Sequence, residues 1–170
     1  MYGGCNPAEL MKVVRENGIK PPKRNNVLEL AKAAKSKKDN ELLLQRAASL
    51  WAQSQPAEGT WVQNSLEHED ISIELPDSIR FLPECPYEGV LTFPAMICAM
   101  TDWKGNFKGV HRTLLGPDGI GLADVPDPKK ALGPIKTASV HLGKADEVMM
   151  VSESVVTGLR SMIITPDIPA

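Results

Sequence analysis

The sequence predicts an α+β fold, with N-terminal helices packed on a small mixed or antiparallel sheet. Three observations lead there. The first third carries three stretches in which capping residues precede apolar positions at helical spacing. Residues 90–115 change to short apolar, β-branched and aromatic runs joined by a turn, and 14 prolines and 13 glycines among 170 residues promise many loops. That length fits one sizeable core, or a helical piece attached to a compact α+β domain, and excludes two large domains.

Taken in order, Asn6-Pro-Ala-Glu9 supplies a cap, a proline at the first helical position and a Glu three residues on. A first helix therefore runs through Leu10, Val13 and Val14 to Gly18. Ile19 to Arg24 is a break. Asn26-Val-Leu-Glu29 opens a second helix reaching Lys35, with Lys32, Lys35 and Lys38 along one side. A third starts near Asp39 or Asn40, where Leu43, Ala47, Leu50 and Trp51 make an apolar stripe. Residues 1–55 are thus a helical region and 56–170 an α+β domain. Gln55 to Thr60 reads as a linker, Trp61 to Glu67 as a short amphipathic stretch, and the segment through Tyr87 as acidic and proline-punctuated.

Beyond it, Val90–Met100 and Phe107–Leu115 read as two strands joined by Trp103-Lys-Gly-Asn106. Gly116-Pro-Asp-Gly119 is a further turn, and Ile120–Thr137 a loop carrying Lys129, Lys130 and Lys136. Ala138–Leu142 and Glu147–Val151 are two more short strands. Ser152 caps a helix from Glu153 towards Ser161, and Met162–Thr165 is a last strand.

The net charge of −2 hides an uneven distribution. Residues 1–50 carry ten Lys/Arg against five Asp/Glu, residues 51–100 one against eight, and the remainder eight of each. A basic first third can approach phosphates, or simply be a solvated helical surface; an acidic middle repels phosphates. No apolar run is long enough to cross a bilayer and no secretory layout opens the chain, so a cytoplasmic, non-membrane protein is expected. Cys5, Cys85 and Cys98 make neither a disulfide framework nor a zinc site.

Alternation along β-type Gly109–Leu115 puts Val110, Arg112 and Leu114 on one face and His111, Thr113 and Leu115 on the other. Arg112 can bind a phosphate or pair with a buried carboxylate; His111 can bond a neighbouring strand or a ligand. His68, His111 and His141 have no metal-ligand spacing, and Gly116, Gly119 and Gly121 lack the Gly-Lys-Ser/Thr ending of a phosphate loop. Glu153, after an apolar strand and at a helix start, is the sharpest catalytic candidate, though a Glu there also simply favours the helix dipole.

The order of short motifs carries more than any one of them. Ile79-Arg-Phe-Leu-Pro83, Pro94-Ala-Met96, Thr101-Asp102, Gly105, Gly109-Val-His-Arg-Thr113, Pro117-Asp-Gly119, Leu132-Gly133, Val140-His-Leu142 and Val151-Ser-Glu153 together resemble the segment leading into the toprim domain of phage and plasmid primases and primase-helicases. The resemblance covers about residues 46–160. It implies a partial toprim-like end to the fold, with the chain stopping where the catalytic part should begin. It also implies that Cys5 is the trailing edge of a zinc finger and that Glu153 matches the first Glu of the opening toprim helix. Ser154 and Val156 replace the Gly and second Glu that follow in the family, Leu122 stands where relatives often show a lysine, and no Asp-x-Asp occurs to bind magnesium.

The resulting expectation is a non-catalytic, primase-derived replication accessory protein of a phage or plasmid, with no cofactor. It contacts DNA or a replication partner through Lys32, Lys35, Lys38, Arg112, Lys129, Lys130 and Lys136, and Glu153 is vestigial. The alternative is a phage-encoded interaction protein that inhibits a host nuclease or CRISPR-type defence complex, its acidic stretch from Glu67 to Glu88 covering a partner's DNA-binding surface.

Overall fold

The computed structural model of the chain describes Glu16, residues 26–144, residues 147–168 and Ala170. The expected first helix, Asn6 to Gly18, lies outside them except for Glu16, which is helical. By internal contacts the chain divides into Met1–Lys38 and Asp39–Ala170, so the expected boundary at residue 55 falls inside the second unit.

Among the described residues there are three helices and six strands. In chain order they are α1 (Asn26–Gln53), β1 (Gln55–Pro56), α2 (Trp61–His68), β2 (Ile79–Tyr87), β3 (Leu91–Thr101), β4 (Phe107–Leu114), β5 (Lys129–Leu132), β6 (Ser139–Val140) and α3 (Val155–Ile164). The class is α+β, as predicted, and every strand pairing is antiparallel. The sheet order is β1-β2-β3-β4-β5, and β6 pairs the end of β3 through Met100 and Thr101.

Alternation along β3 explains the layering. Met96 and Cys98 face one core with Val62 and Leu66 of α2, Ile79 and Phe81 of β2, and Leu159 of α3. Ala95 and Ile97 face the other, with Ala47 and Leu50 of α1, Val110 and Leu114 of β4, and Ala123. Both faces are covered, so β3 reads as a near-continuous apolar run instead of alternating with polar residues. The Leu43, Ala47, Leu50, Trp51 stripe of α1 is its least exposed side, as the spacing predicts.

The predicted hairpin is β3–β4. At its turn, Asp102 accepts from the backbone N–H groups of Lys104 and Asn106, each at 3.0 Å. The Gly116–Gly119 turn closes with a 3.0 Å bond from the Gly119 N–H to the Gly116 carbonyl, and Thr60 caps α2 by accepting from the Val62 N–H.

Several elements differ from expectation. Helix α1 is continuous where two helices were expected: Lys35-Ser-Lys-Lys-Asp-Asn40 contains no Gly or Pro, and extending a helix is favoured over nucleating another. The linker-like Gln55–Pro56 pairs with Phe81 and Arg80. The proline-punctuated segment contains β2, because Pro83 lies in a bulge between Leu82 and Cys85 that also turns Cys85 and Tyr87 onto the Leu82 face. Lys129–Leu132 is a strand, not loop, held by four residues of β4. Residues 147–151 join no ladder, and Met162–Ile164 are the last turn of α3. The Ser154 cap starts that helix, and its register carries Leu159 and Met162 onto the core, overriding their β-branched neighbours.

Candidate functional site

A cavity of about 760 Å³ lies on the α2 and α3 side of the sheet. Its floor is formed by side chains that β3 and β4 direct to that face, namely Met96, Met100, His111, Thr113 and Leu115. Val62 and Leu66 of α2 and Glu69 just past its end close it on one side, Val140–Gly143 from the end of β6 and the residues after it, and Met149–Val156 from the approach to α3 and its first turn. The walls are mainly apolar, with four methionine thioethers, which suits a ligand surface that adapts to its occupant.

Two of the predicted site residues meet here. Lys129 lies opposite Thr113 in the β4–β5 ladder and lines the cavity, as does Glu153. Glu153 is exposed and stands just ahead of α3 instead of opening it, because Ser154 is the cap: its Oγ accepts from the Thr157 N–H at 3.1 Å. With no strand before it, Glu153 does not sit at a sheet edge as expected. Leu122, half-exposed, lines the same cavity.

The remaining basic residues are placed elsewhere. Because Lys129 and Lys130 sit on a strand, they point to opposite faces and do not form one basic loop. Lys130 shares the face of Arg112, its ladder partner, and lies 3.8 Å from Asp127. Arg112 donates to the Pro86 carbonyl at 3.2 Å, while its Nε is buried without a hydrogen-bond partner. Lys136 is exposed between β5 and β6, and Lys32, Lys35 and Lys38 are exposed on α1 within the first unit.

His111 is the cavity's main titratable floor residue. Burial first, then the Lys129 and Arg112 cations, push its pKa below the ordinary imidazole value, so the ring is neutral at pH 7. Its Nδ1 is buried and has no hydrogen-bond partner. Glu69, by contrast, is engaged by Arg160 at 2.6 Å. Sequence reasoning passed over Met96, Met100, Met149, Met150 and Trp103 as lining residues. The two-residue spacing in β3 marks the face of Met96 and Met100, but no local signal marks the others.

Among the described residues no helix is long and apolar enough to cross a membrane, and no group of three or more His, Cys, Asp or Glu is placed to hold a metal ion. No curated protein and no solved structure matches the chain. A family model does, over residues 43–142, which take in the end of α1, α2 and all six strands but stop short of Glu153 and α3. The match spans more than half of the chain, which therefore belongs to the family described as a domain of unknown function, DUF7146.

Proposed function

We propose that this is a primase-derived replication accessory protein of a phage or plasmid, and that it binds single-stranded or primed DNA. One observation supports the reading above the others: four of the nine motifs that carry the resemblance line a single cavity, through Met96, His111 with Thr113, Val140–Leu142 and Val151–Glu153, and Leu122 and Lys129 line it with them. Lys129 supplies a cation at the site, exposed Lys136 lies nearby in sequence, and the lysines of α1 add a second basic surface for phosphates.

Fluorescence anisotropy with a labelled single-stranded oligonucleotide, titrated over salt, tests this. Binding strengthens as salt is lowered, and each lost phosphate contact flattens the log–log slope by about 0.7. Lys129→Glu with Lys136→Glu weakens binding, as does joint reversal of Lys32, Lys35 and Lys38. Leu122→Lys, which restores the lysine of the resembled primases, tightens it. No binding at low salt, or wild-type affinity in both reversal variants, sinks the reading.

A further inference from the structure

The three tryptophans of the chain are placed very differently. Trp51 packs against the sheet, with the Arg80 guanidinium 5.0 Å from its ring centroid, and the Trp61 ring lies 6.5 Å from that of Phe81. Trp103 sits in the β3–β4 turn and is 84% exposed. An aromatic side chain stabilises a fold by burying a large area, so one left in water at a turn contributes little to this one. The turn is nevertheless held in a fixed shape. Asp102 accepts from the Lys104 and Asn106 backbone, its own N–H donates to the Asn106 carbonyl, and Gly105 takes up a φ of +79°. The Lys104 ammonium stands over the Trp103 ring, 4.7 Å from its centroid, and Trp103 lines the same cavity as Lys129.

We propose that Trp103 is a stacking platform for an unpaired base of single-stranded DNA, with Lys104 meeting the phosphate beside it. A nucleotide joins a flat π face to an anion, and Trp103 with Lys104 joins a ring to a cation on one turn. With the cation over one face of the ring, the base takes the other. Residues 103–108 add Lys108 and contain no carboxylate, and the carboxylate just before them, that of Asp102, is already paired with Lys108. Because the turn is closed before any ligand arrives, little ordering remains to oppose binding. Stacking is tolerant of sequence, since every base has a π face. The role rests on the DNA binding proposed above and adds what lysines cannot supply, a contact to bases instead of phosphates.

Anisotropy titrations of the full chain with two labelled strands of equal length, one with normal bases and one abasic throughout, test it. The abasic strand keeps every phosphate. Wild-type protein is expected to bind the normal strand more tightly. Trp103→Ala weakens that binding about 5- to 150-fold and Trp103→Phe by less, while the slope of log affinity against log salt stays as in the wild type. The thermal melt of Trp103→Ala matches the wild type, as the exposure of the side chain requires. On the abasic strand the two proteins bind alike. Wild-type affinity in Trp103→Ala overturns the proposal, as does equal affinity of the wild type for both strands. So does a Trp103→Ala defect that persists on the abasic strand or flattens the salt slope. In each of these cases the wild type still binds DNA, so the stacking role falls and the DNA reading stands. No binding by the wild type at low salt ends both.

Discussion

Asp102 shows how a single side chain fixes this fold. Its Oδ1 accepts from the backbone of Lys104 and Asn106 and from the Asn106 amide, and its Oδ2 accepts from that amide and lies 3.2 Å from the Lys108 ammonium. The Asn106 side chain is the largest cause of a carboxyl held well below its usual range. Burial opposes the shift, and the Asn106 and Lys104 backbone N–H groups and Lys108 reinforce it. A carboxyl with a depressed folded-state pKa adds stability that is present above its unfolded value, about 3.9, and is lost as pH falls from there through the folded value. Asp102→Asn is accordingly less stable than the wild type at pH 7, and the two converge in acid. Urea midpoints that stay separated by a constant amount down the acid limb would show that Asp102 is not the source. This residue was legible, since Thr101-Asp102 stood out beside a turn. Arg112 was legible as a face but not as a role: no spacing in the sequence announces that it reaches across β3 to the Pro86 carbonyl.

Among the elements, those set by local chemistry were readable and those set by distant partners were not. The β3–β4 hairpin, the Thr60-capped α2 and the Gly116–Gly119 turn each carry their own signals. By contrast β2 hides behind Pro83 and Pro86, and β5 behind two lysines, because both exist through neighbours that a local reading cannot see. Gly109 and Gly133, from two separate motifs, explain each other once the β4–β5 pairing is known. A Cβ at Gly109 would collide with the Leu132 carbonyl oxygen, and one at Gly133 with the Lys108 carbonyl oxygen, so the two backbones approach as only glycines allow. Gly133 also holds a φ of +127°, which adds strain to any substitution there. Gly109→Ala, free of that second effect, is expected to destabilise by about 1–3 kcal/mol through overpacking alone. Urea denaturation measures it, and a change below about 0.5 kcal/mol, the range of an ordinary surface substitution, contradicts the close approach.

At the scale of the whole molecule, the core shows where the fold begins. Among the described residues every buried hydrophobic lies at Ala47 or later, and the sheet face opposite the cavity is covered by Ala47, Leu50 and Trp51 from the end of α1. Composition placed a helical region over residues 1–55 because helical signals run to that point, but it could not show that the last three turns serve the sheet. The cavity was likewise hidden, since its walls come from segments up to a hundred residues apart. Only the order of motifs hinted that they belong together. Two truncations separate these levels. A fragment of residues 39–170 keeps both cores and all six strands, so it should unfold cooperatively with a melting temperature close to that of the full chain. A fragment starting at residue 56 loses Ala47, Leu50, Trp51 and half of β1, uncovering one face of the sheet. At about 1.5–3 kcal/mol for each large buried side chain, against a total stability of about 5–15 kcal/mol, that fragment should lose its cooperative transition or aggregate. Circular dichroism melts of the two decide the matter. If the longer fragment is unfolded, residues 39–170 do not hold all that the fold needs; if the shorter one melts like the full chain, the end of α1 is not the cover that completes the sheet.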